Sequence, residues 1–299
     1  MKMTANMLRG VFSPMCTPFK NDEVDYAGME ENVEIMNISG LKGYFVLGTN
    51  GEYKTMSEEE RFKLLGVVIK KASKDKVIMA GTGAESTIET IRLTKKAADA
   101  GASMVSILMP SFFAKRITAP VMIKHIIDIA DASPIPVVLY NNPSVAAGVT
   151  ISPLVIKEIC RHNNVAGLKD SSKETWQENI AYSNENFSVM AGSAGYFLDL
   201  LEKGGTGGVL SLANVFPDDC AKLYNLYVSG EIEKAKELNL KLVDLNKKVS
   251  GTFGVPGVKY AMDLVGFAGG LPRKPIFGLT QEEKEKLEAD LKESGFLIK

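Results

Sequence analysis

Short apolar runs alternate with longer amphipathic segments along most of the chain. Most of these runs are continuously apolar rather than alternating with polar residues, which is typical of parallel strands covered on both faces. The eight predicted strands are Gly10–Phe19, Gly43–Thr49, Val77–Gly83, Met104–Pro110, Pro136–Pro143, Val165–Ser171, Phe187–Gly195 and Thr206–Asn214. Along the chain, the pattern therefore predicts a repeated unit of one strand and one helix.

Helix start signals fall in the gaps between the apolar runs. A serine or threonine three residues before a glutamate fits a capping box, and a serine before a proline fits a cap with proline at the first helical position. These signals occur at Ser57–Glu60, Ser86–Glu89, Ser152–Pro153 and Thr280–Glu283. Each of the four precedes an amphipathic segment, so the sequence predicts a helix after it.

The order of these elements predicts the fold class. Eight strand–helix units at spacings of roughly 20–35 residues favour an α/β protein with a (β/α)8 TIM barrel. We expect the catalytic barrel to occupy residues 1–225 and a C-terminal helical extension to occupy residues 226–299, with helices at 231–248 and 255–265. The alternative is an open doubly wound sheet, but no glycine-rich strand–turn–helix fingerprint follows the first strand.

Composition narrows the class of protein. The 299 residues are 45% hydrophobic and 24% charged with a net charge of −1, so neither a nucleic-acid partner nor a basic membrane-binding patch is expected. No apolar run approaches the ~18 residues of a membrane span. The three cysteines are scattered without a C-x-x-C pair, and no signal-peptide core is visible, which together favour a cytoplasmic protein.

One lysine stands out against this pattern. Lys169 directly follows the apolar stretch Val165–Leu168, and burying an unpaired ammonium group costs several kcal/mol or more. Asp170 should point to the opposite face, because side chains alternate along a strand, so it is a poor ion-pair partner. Burial lowers a lysine pKa, and a neutral lysine can attack a ketone to form a Schiff base. A structural lysine is the equally weighted alternative.

Other polar residues follow the predicted strands, where a barrel carries its active site. Tyr140 closes an apolar strand and could transfer protons, although a buried structural tyrosine is an equal alternative. Thr49 could relay such a proton or simply belong to a turn. Gly48 and Gly51 flank Thr49 and Asn50, so the backbone amides of this pair could hold a carboxylate.

In their order and spacing, the motifs GTNGE, YNNP, GLKDSS and AGSAG resemble those of the dihydrodipicolinate synthase / N-acetylneuraminate lyase family. The resemblance runs over essentially the whole chain. It implies a (β/α)8 barrel, commonly a homotetramer, with class I chemistry on pyruvate or other 2-oxo acids and no cofactor or metal. By position, Lys169 matches the Schiff-base lysine and Tyr140 the catalytic tyrosine. Thr49 and Asn50 match the pair that holds the substrate carboxylate, with Thr49 also in the proton relay.

Two departures from the family pattern concern substrate choice. Val145 stands where dihydrodipicolinate synthases usually have an arginine for the aldehyde carboxylate, and Phe112 and Phe113 stand where a relay tyrosine is expected. Other segments, such as GTNGEY and SLANVFP, look like the 4-hydroxy-2-oxoglutarate aldolase branch and its 2-keto-3-deoxy-sugar-acid relatives. The further expected substrate-binding residues are Gly48, Asn142, Ser171, Gly192 and Ser193.

Three hypotheses follow. The first is a cofactor-free Schiff-base lyase that cleaves or condenses a 4-hydroxy-2-oxo acid or 2-keto-3-deoxy acid through an imine on Lys169. The second is a 4-hydroxy-tetrahydrodipicolinate synthase, which condenses pyruvate with aspartate semialdehyde. The third is a non-catalytic 2-oxo acid binding protein. The expected partners are a small 2-oxo acid and further copies of the chain, in a homotetramer or homodimer.

Overall fold

Eight parallel strands close into a barrel in the computed structural model, which describes residues 3–172 and 174–296. Its strands, in chain order, are β1 (Gly10–Pro14), β4 (Gly43–Val46), β5 (Val77–Gly81), β6 (Met104–Leu108), β7 (Val137–Asn141), β8 (Val165–Asp170), β9 (Ser188–Ala191) and β10 (Gly207–Val209). Each strand lies beside the next of this series, beginning with β1 beside β4, and β10 lies beside β1 to complete the ring. The predicted (β/α)8 barrel is confirmed.

The eight predicted strands coincide in place with the eight strands of the barrel, but the observed strands are shorter. Thus β1 ends at Pro14, whereas the apolar run continues to Phe19. Phe19 belongs instead to a small antiparallel hairpin of β2 (Phe19–Lys20) and β3 (Glu23–Val24). Residues 15–18 therefore form a loop before this hairpin, and a hydrophobic pattern alone does not separate such a loop from the strand.

The pairing of β7 with β8 contains a register shift. Val137 lies opposite Val165, but Val138 lies opposite Gly167, so Ala166 is an extra residue on β8. Beyond this shift, Tyr140 lies opposite Lys169 and Asn141 opposite Asp170. A Cβ atom added to Gly167 would meet the backbone oxygen of Ser188 at 2.3 Å, so glycine permits the close approach of β9.

Helices fill most of the remaining chain. They are α1 (Met3–Asn6), α2 (Tyr26–Asn37), α3 (Glu58–Lys71), α4 (Thr87–Asp99), α5 (Ala119–Ala132), α6 (Pro153–Ile159), α7 (Trp176–Asn179), α8 (Phe197–Glu202), α9 (Pro217–Val228), α10 (Ile232–Asn246), α11 (Thr252–Leu264) and α12 (Gln281–Glu293). A π-helical turn, Lys247–Gly251, joins α10 to α11. Within the described part of the chain, no helix is long and apolar enough to cross a membrane.

The predicted helix caps are largely present. Ser57 and Thr280 form complete capping boxes with the glutamates three residues later. Ser86 accepts a hydrogen bond from the Glu89 amide, while the Glu89 carboxylate pairs with Arg92. The Ser152 side chain makes no cap bond, so the start of α6 depends on Pro153, whose fixed φ suits the first helical position.

The chain forms two compact units. One consists of residues 1–10, 77–192 and 199–209, and the other of residues 11–76, 193–198 and 210–299. The boundary expected at residues 225/226 falls inside α9. The division into a catalytic barrel and a helical extension stays a prediction.

Candidate active site

Lys169 and Tyr140 lie side by side at the ends of two neighbouring strands. Both are buried, with 4% and 5% of their surfaces exposed. The Nζ atom of Lys169 lies 3.9 Å from the centroid of the Tyr140 ring. The two side chains therefore share one face of the paired strands.

Burial changes the chemistry of the Lys169 amine. Loss of hydration lowers the pKa of Lys169 from its ordinary value, while the charge and hydrogen bond of Tyr140 act in the opposite direction. The lowering prevails, so a larger fraction of Lys169 is neutral near pH 7 than the roughly one in 2,500 of an ordinary lysine. A neutral amine is the form that attacks a carbonyl carbon.

The phenol of Tyr140 is oriented by Asn142. The Asn142 side-chain amide donates a 2.8 Å hydrogen bond to the Tyr140 oxygen, and Ser144 donates a 2.6 Å bond to the Asn142 carbonyl. Because an oxygen that accepts from Asn142 keeps its own proton to donate, Tyr140 is arranged as a proton donor. Asn142, expected to bind substrate, here contacts Tyr140.

Asp170 points away from Lys169, as the alternation of side chains predicts. It is buried, and its carboxylate accepts hydrogen bonds from Asn141, Asn179 and the Ser172 amide at 3.0, 2.8 and 2.9 Å. Burial raises the pKa of Asp170, although these bonds oppose the rise. The cluster links β7, β8 and α7 directly behind the Lys169–Tyr140 pair.

Ser171 and Gly192 meet at the end of β8. A Cβ atom added to Gly192 would meet the Ser171 hydroxyl oxygen at 1.9 Å, so only glycine fits there without displacing Ser171. Gly192 also donates a 2.8 Å backbone bond to the Asp170 carbonyl oxygen. The two residues, both expected to bind substrate, are therefore brought together.

The loop after β4 carries Gly48, Thr49 and Asn50. These residues belong to the compact unit that contains residues 11–76, whereas Lys169 and Tyr140 belong to the unit that contains residues 77–192. Two successive turns form it, with Gly51 N donating to Gly48 O and Glu52 N donating to Thr49 O. The buried side-chain amide nitrogen of Asn50, Nδ2, has no hydrogen-bond partner among the described residues. A buried donor without a partner costs stability, so it is available for a ligand oxygen.

This loop is held in a strained backbone conformation at both ends. Leu47 and Glu52 have φ values of 63° and 52°, the left-handed region that residues other than glycine seldom adopt. Each such residue costs about 1–3 kcal/mol, and such strain persists only where surrounding contacts impose it. A Cβ atom added to Gly48 would meet the Phe45 ring at 2.7 Å, which explains the glycine.

A buried ion pair next to this loop escapes prediction from the sequence. Lys259 Nζ lies 2.8 Å from Glu52 Oε1, and the two side chains are 0% and 2% exposed. The motif GTNGE contains Glu52, but the residue type alone suggests no role for it. A lysine inside the apolar segment Val255–Val265 is the signal that could have indicated such a partner.

The remaining predicted positions lie on loops. Ser193 caps a short helical turn by accepting a bond from Gly195 N at 3.1 Å. Val145 is 42% exposed, and Phe112 and Phe113 are 79% and 69% exposed. No group of three or more His, Cys, Asp or Glu residues suited to a metal is found among the residues described.

A (β/α)8 barrel with a buried lysine beside a tyrosine at its strand ends is typical of class I aldolases, which form an imine with their substrate. The chain belongs to the dihydrodipicolinate synthetase family, whose sequence profile matches residues 7–294. It is therefore a class I, Schiff-base enzyme that forms or cleaves carbon–carbon bonds.

Individual relatives are similar over nearly the whole chain. A 4-hydroxy-tetrahydrodipicolinate synthase of Syntrophus aciditrophicus is 32% identical over 97% of this chain and 100% of its own length. The enzyme of that name from Methanothrix thermoacetophila is 34% identical over 94% and 95%. The crystal structure of dihydrodipicolinate synthase from Thermotoga maritima has a TM-score of 0.90 at 31% identity, covering 97% of this chain and 100% of its own.

These relatives favour the second sequence-based hypothesis over the first. They carry the name of the synthase, and none of the three is named as a 4-hydroxy-2-oxo acid or 2-keto-3-deoxy acid aldolase. The preference for the aldolase branch, which came from Val145 and from short motifs, is thus not supported by the comparisons.

Proposed function

We propose that the protein condenses pyruvate with an aldehyde through an imine on Lys169, with aspartate semialdehyde as the first candidate for the aldehyde. The observation that carries the proposal is the buried Lys169 amine, 3.9 Å from the Tyr140 ring centroid and with a lowered pKa. The name of the relatives supports the choice of aldehyde.

The proposed reaction begins with addition of the Lys169 amine to the pyruvate ketone. Tyr140 donates a proton to the carbinolamine oxygen, which leaves as water and produces the protonated imine. Loss of a proton from the pyruvate methyl group then gives an enamine. The enamine carbon attacks the aldehyde carbon, the aldehyde oxygen takes up a proton, and the new bond forms without an external oxidant or reductant. In the synthase reaction, the amino group of the semialdehyde then closes the ring and releases Lys169.

Thr49 and Asn50 are proposed to bind the pyruvate carboxylate, and Gly48 to border the substrate beside them. The buried side-chain nitrogen of Asn50, which has no partner among the described residues, supports this assignment, since a carboxylate oxygen could accept its hydrogen bond. Ser171 and Gly192 are proposed to border the substrate; the two residues meet at the end of β8, where Gly192 leaves room for the Ser171 hydroxyl. The small-molecule partner is thus a 2-oxo acid, while assembly into a homotetramer or homodimer stays a prediction.

A second candidate is the aldol cleavage of a 4-hydroxy-2-oxo acid, and one observation favours it. Val145 is exposed and cannot pair with a carboxylate, whereas an arginine there could bind the semialdehyde carboxylate by two charge-assisted bonds. A missing contact of this kind typically lowers kcat/KM by about a hundredfold.

The test compares kcat/KM for the two reactions on one preparation of enzyme. The proposal expects the condensation with aspartate semialdehyde to exceed cleavage of 4-hydroxy-2-oxo acids at least tenfold. Val145→Arg should then change the ratio of the two kcat/KM values only modestly, because the enzyme would already bind the semialdehyde carboxylate through another group. A tenfold preference for 4-hydroxy-2-oxo acids, with a large gain of synthase activity in Val145→Arg, would establish the aldolase instead.

Two further measurements address the imine and the cofactor. Pyruvate with borohydride should add a reduced pyruvyl group to Lys169, and Lys169→Ala should abolish both labelling and turnover, whereas labelling elsewhere would refute the assignment.

Turnover should also survive exhaustive chelation, since an imine withdraws electrons without a metal. Activity that is lost on chelation and restored by a divalent metal would contradict the cofactor-free mechanism.

A further inference from the structure

The Gly48–Glu52 loop is anchored by a charged cluster that the proposed reaction does not use. Lys259, on α11, directs three hydrogen bonds of 2.8 Å to Glu52 Oε1, Thr17 O and Leu271 O. These partners use all three protons of the ammonium group. Glu52 is itself the last residue of the loop and one of the two strained positions at its ends.

The other oxygen of Glu52 is held as well. Arg273 donates its backbone amide to Glu52 Oε2 at 2.9 Å. Its guanidinium group forms two parallel bonds with Glu60, at 2.7 and 2.9 Å, and a 3.1 Å bond to Thr55 O. The segment from Lys259 to Arg273 therefore contacts the loop after β4 at several points.

The loop is also held at Gly51. The hydroxyl of Thr17 donates a 2.7 Å bond to Gly51 O, and the carbonyl of the same residue accepts from Lys259. Lys259 thus fixes both Glu52 and the residue that binds Gly51. The aromatic ring of Phe19 lies 4.6 Å from Lys259 Nζ and completes its surroundings.

A fully buried ion pair is a weak source of stability, because an apolar pair of similar volume often serves as well. In some proteins such a pair fixes one geometry, and here it holds Glu52, one of the two strained residues at the ends of the loop. We propose that Lys259 and Glu52 are positioning residues, which hold the Gly48–Glu52 loop in the shape that binds the substrate carboxylate. The inference rests on the proposed carboxylate role of Thr49 and Asn50.

The test separates carboxylate binding from general damage. Lys169 of each variant is labelled with borohydride in the presence of pyruvate or of acetone, which has the ketone but no carboxylate. The variants are Lys259→Met, Glu52→Gln and the double variant. Lys248→Met is the matched control, since Lys248 also pairs with an acidic residue, Asp244 at 2.9 Å, but makes none of these loop contacts.

We expect the ratio of pyruvate to acetone labelling rates to fall at least tenfold in Lys259→Met and in the double variant. KM for pyruvate should rise by a similar factor while kcat changes less than threefold, and Lys248→Met should match the wild type. If a single variant leaves a buried charge that prevents folding, the double variant supplies the result, because it has no buried charge at this pair.

Two outcomes would overturn the inference. A folded double variant with the wild-type ratio would show that the loop holds its shape without the pair. An equal loss of labelling by both ketones would show a structural role only. Failure of the wild-type enzyme to be labelled at Lys169 by pyruvate would instead refute the proposed function, so the two failures are distinguishable.

Discussion

Asn141 donates a 3.0 Å hydrogen bond to Asp170, one residue beyond the point at which Tyr140 lies opposite Lys169 on the same two strands. The two reactive side chains and the two hydrogen-bonding side chains therefore occupy opposite faces of adjacent strand ends. The hydrogen bond between Asn141 and Asp170 on one face therefore helps to align Tyr140 with Lys169 on the other.

Asp170→Asn is expected to lower the stability of the protein. The carboxylate accepts from three donors, so an amide nitrogen in its place would face another donor at one of them. We expect a loss of about 1–3 kcal/mol in the free energy of unfolding. Urea denaturation measures it, with the exposed Asp199→Asn as control. Increased stability would mean that the cost of burying the charge exceeds the value of its hydrogen bonds.

Lys169→Met should stabilise the protein near pH 7. The pKa of Lys169 is lowered by burial, so the folded state holds its proton less well than the unfolded state. The penalty is complete below the lowered pKa and disappears as the pH rises towards 10.5, so the difference in Tm between variant and wild type should shrink over that window. The exposed Lys157→Met serves as control. A difference that does not vary with pH would contradict the lowered pKa.

Tyr140→Phe keeps the ring beside Lys169 and removes only the hydroxyl. General acid–base catalysis typically contributes roughly 10²–10⁴-fold, so turnover should fall by about that factor while the fold persists. Steady-state kinetics and circular dichroism check the two parts, and Tyr182→Phe, at a half-buried tyrosine, is the comparison. A loss of less than about fivefold would leave Tyr140 with a packing role.

Glu60→Gln should reduce stability in a pH-dependent way. Hydrogen bonds from the Arg273 guanidinium are the main cause that lowers the pKa of Glu60 to about 2. Because the folded pKa lies below the ordinary value of 4.5, the stabilisation is present above pH 4.5 and is lost as the pH falls towards 2. Thermal unfolding from about pH 7 to about pH 2.5 should show that the Tm difference between Glu60→Gln and the wild type closes. The exposed Glu59→Gln should keep the wild-type Tm over this range. A gap that widens in acid would contradict the assignment.

The barrel and the buried Lys169 could be predicted because both depend on local sequence. Continuous apolar runs indicated the parallel strands, and a charged residue at the end of such a run drew attention to Lys169. The alternation of side chains correctly turned Asp170 away from it. Its partners Asn141 and Asn179 could not be assigned, because the pattern does not give the register between strands or the position of α7.

The contacts that hold the Gly48–Glu52 loop escaped prediction for a different reason. Glu52 and Lys259 are separated by 207 positions in the chain, and nothing in the local pattern of either segment names the other. The strain at Leu47 and Glu52 is also invisible in sequence, since neither residue type favours a positive φ. Short-range patterns thus locate reactive groups better than they locate the residues that support them.

The extra residue Ala166 in β8 decides which side chain meets Tyr140. Without the shift at Val137 and Val138, the pairing that begins at Val165 would bring Leu168 opposite Tyr140. Leu168 and Lys169 project to opposite faces, so an unbulged pairing of the same residues would place an isobutyl group where the amine lies. In that register the Lys169 amine would be turned away from Tyr140, so the bulge at Ala166 sets the chemistry that this strand end can support.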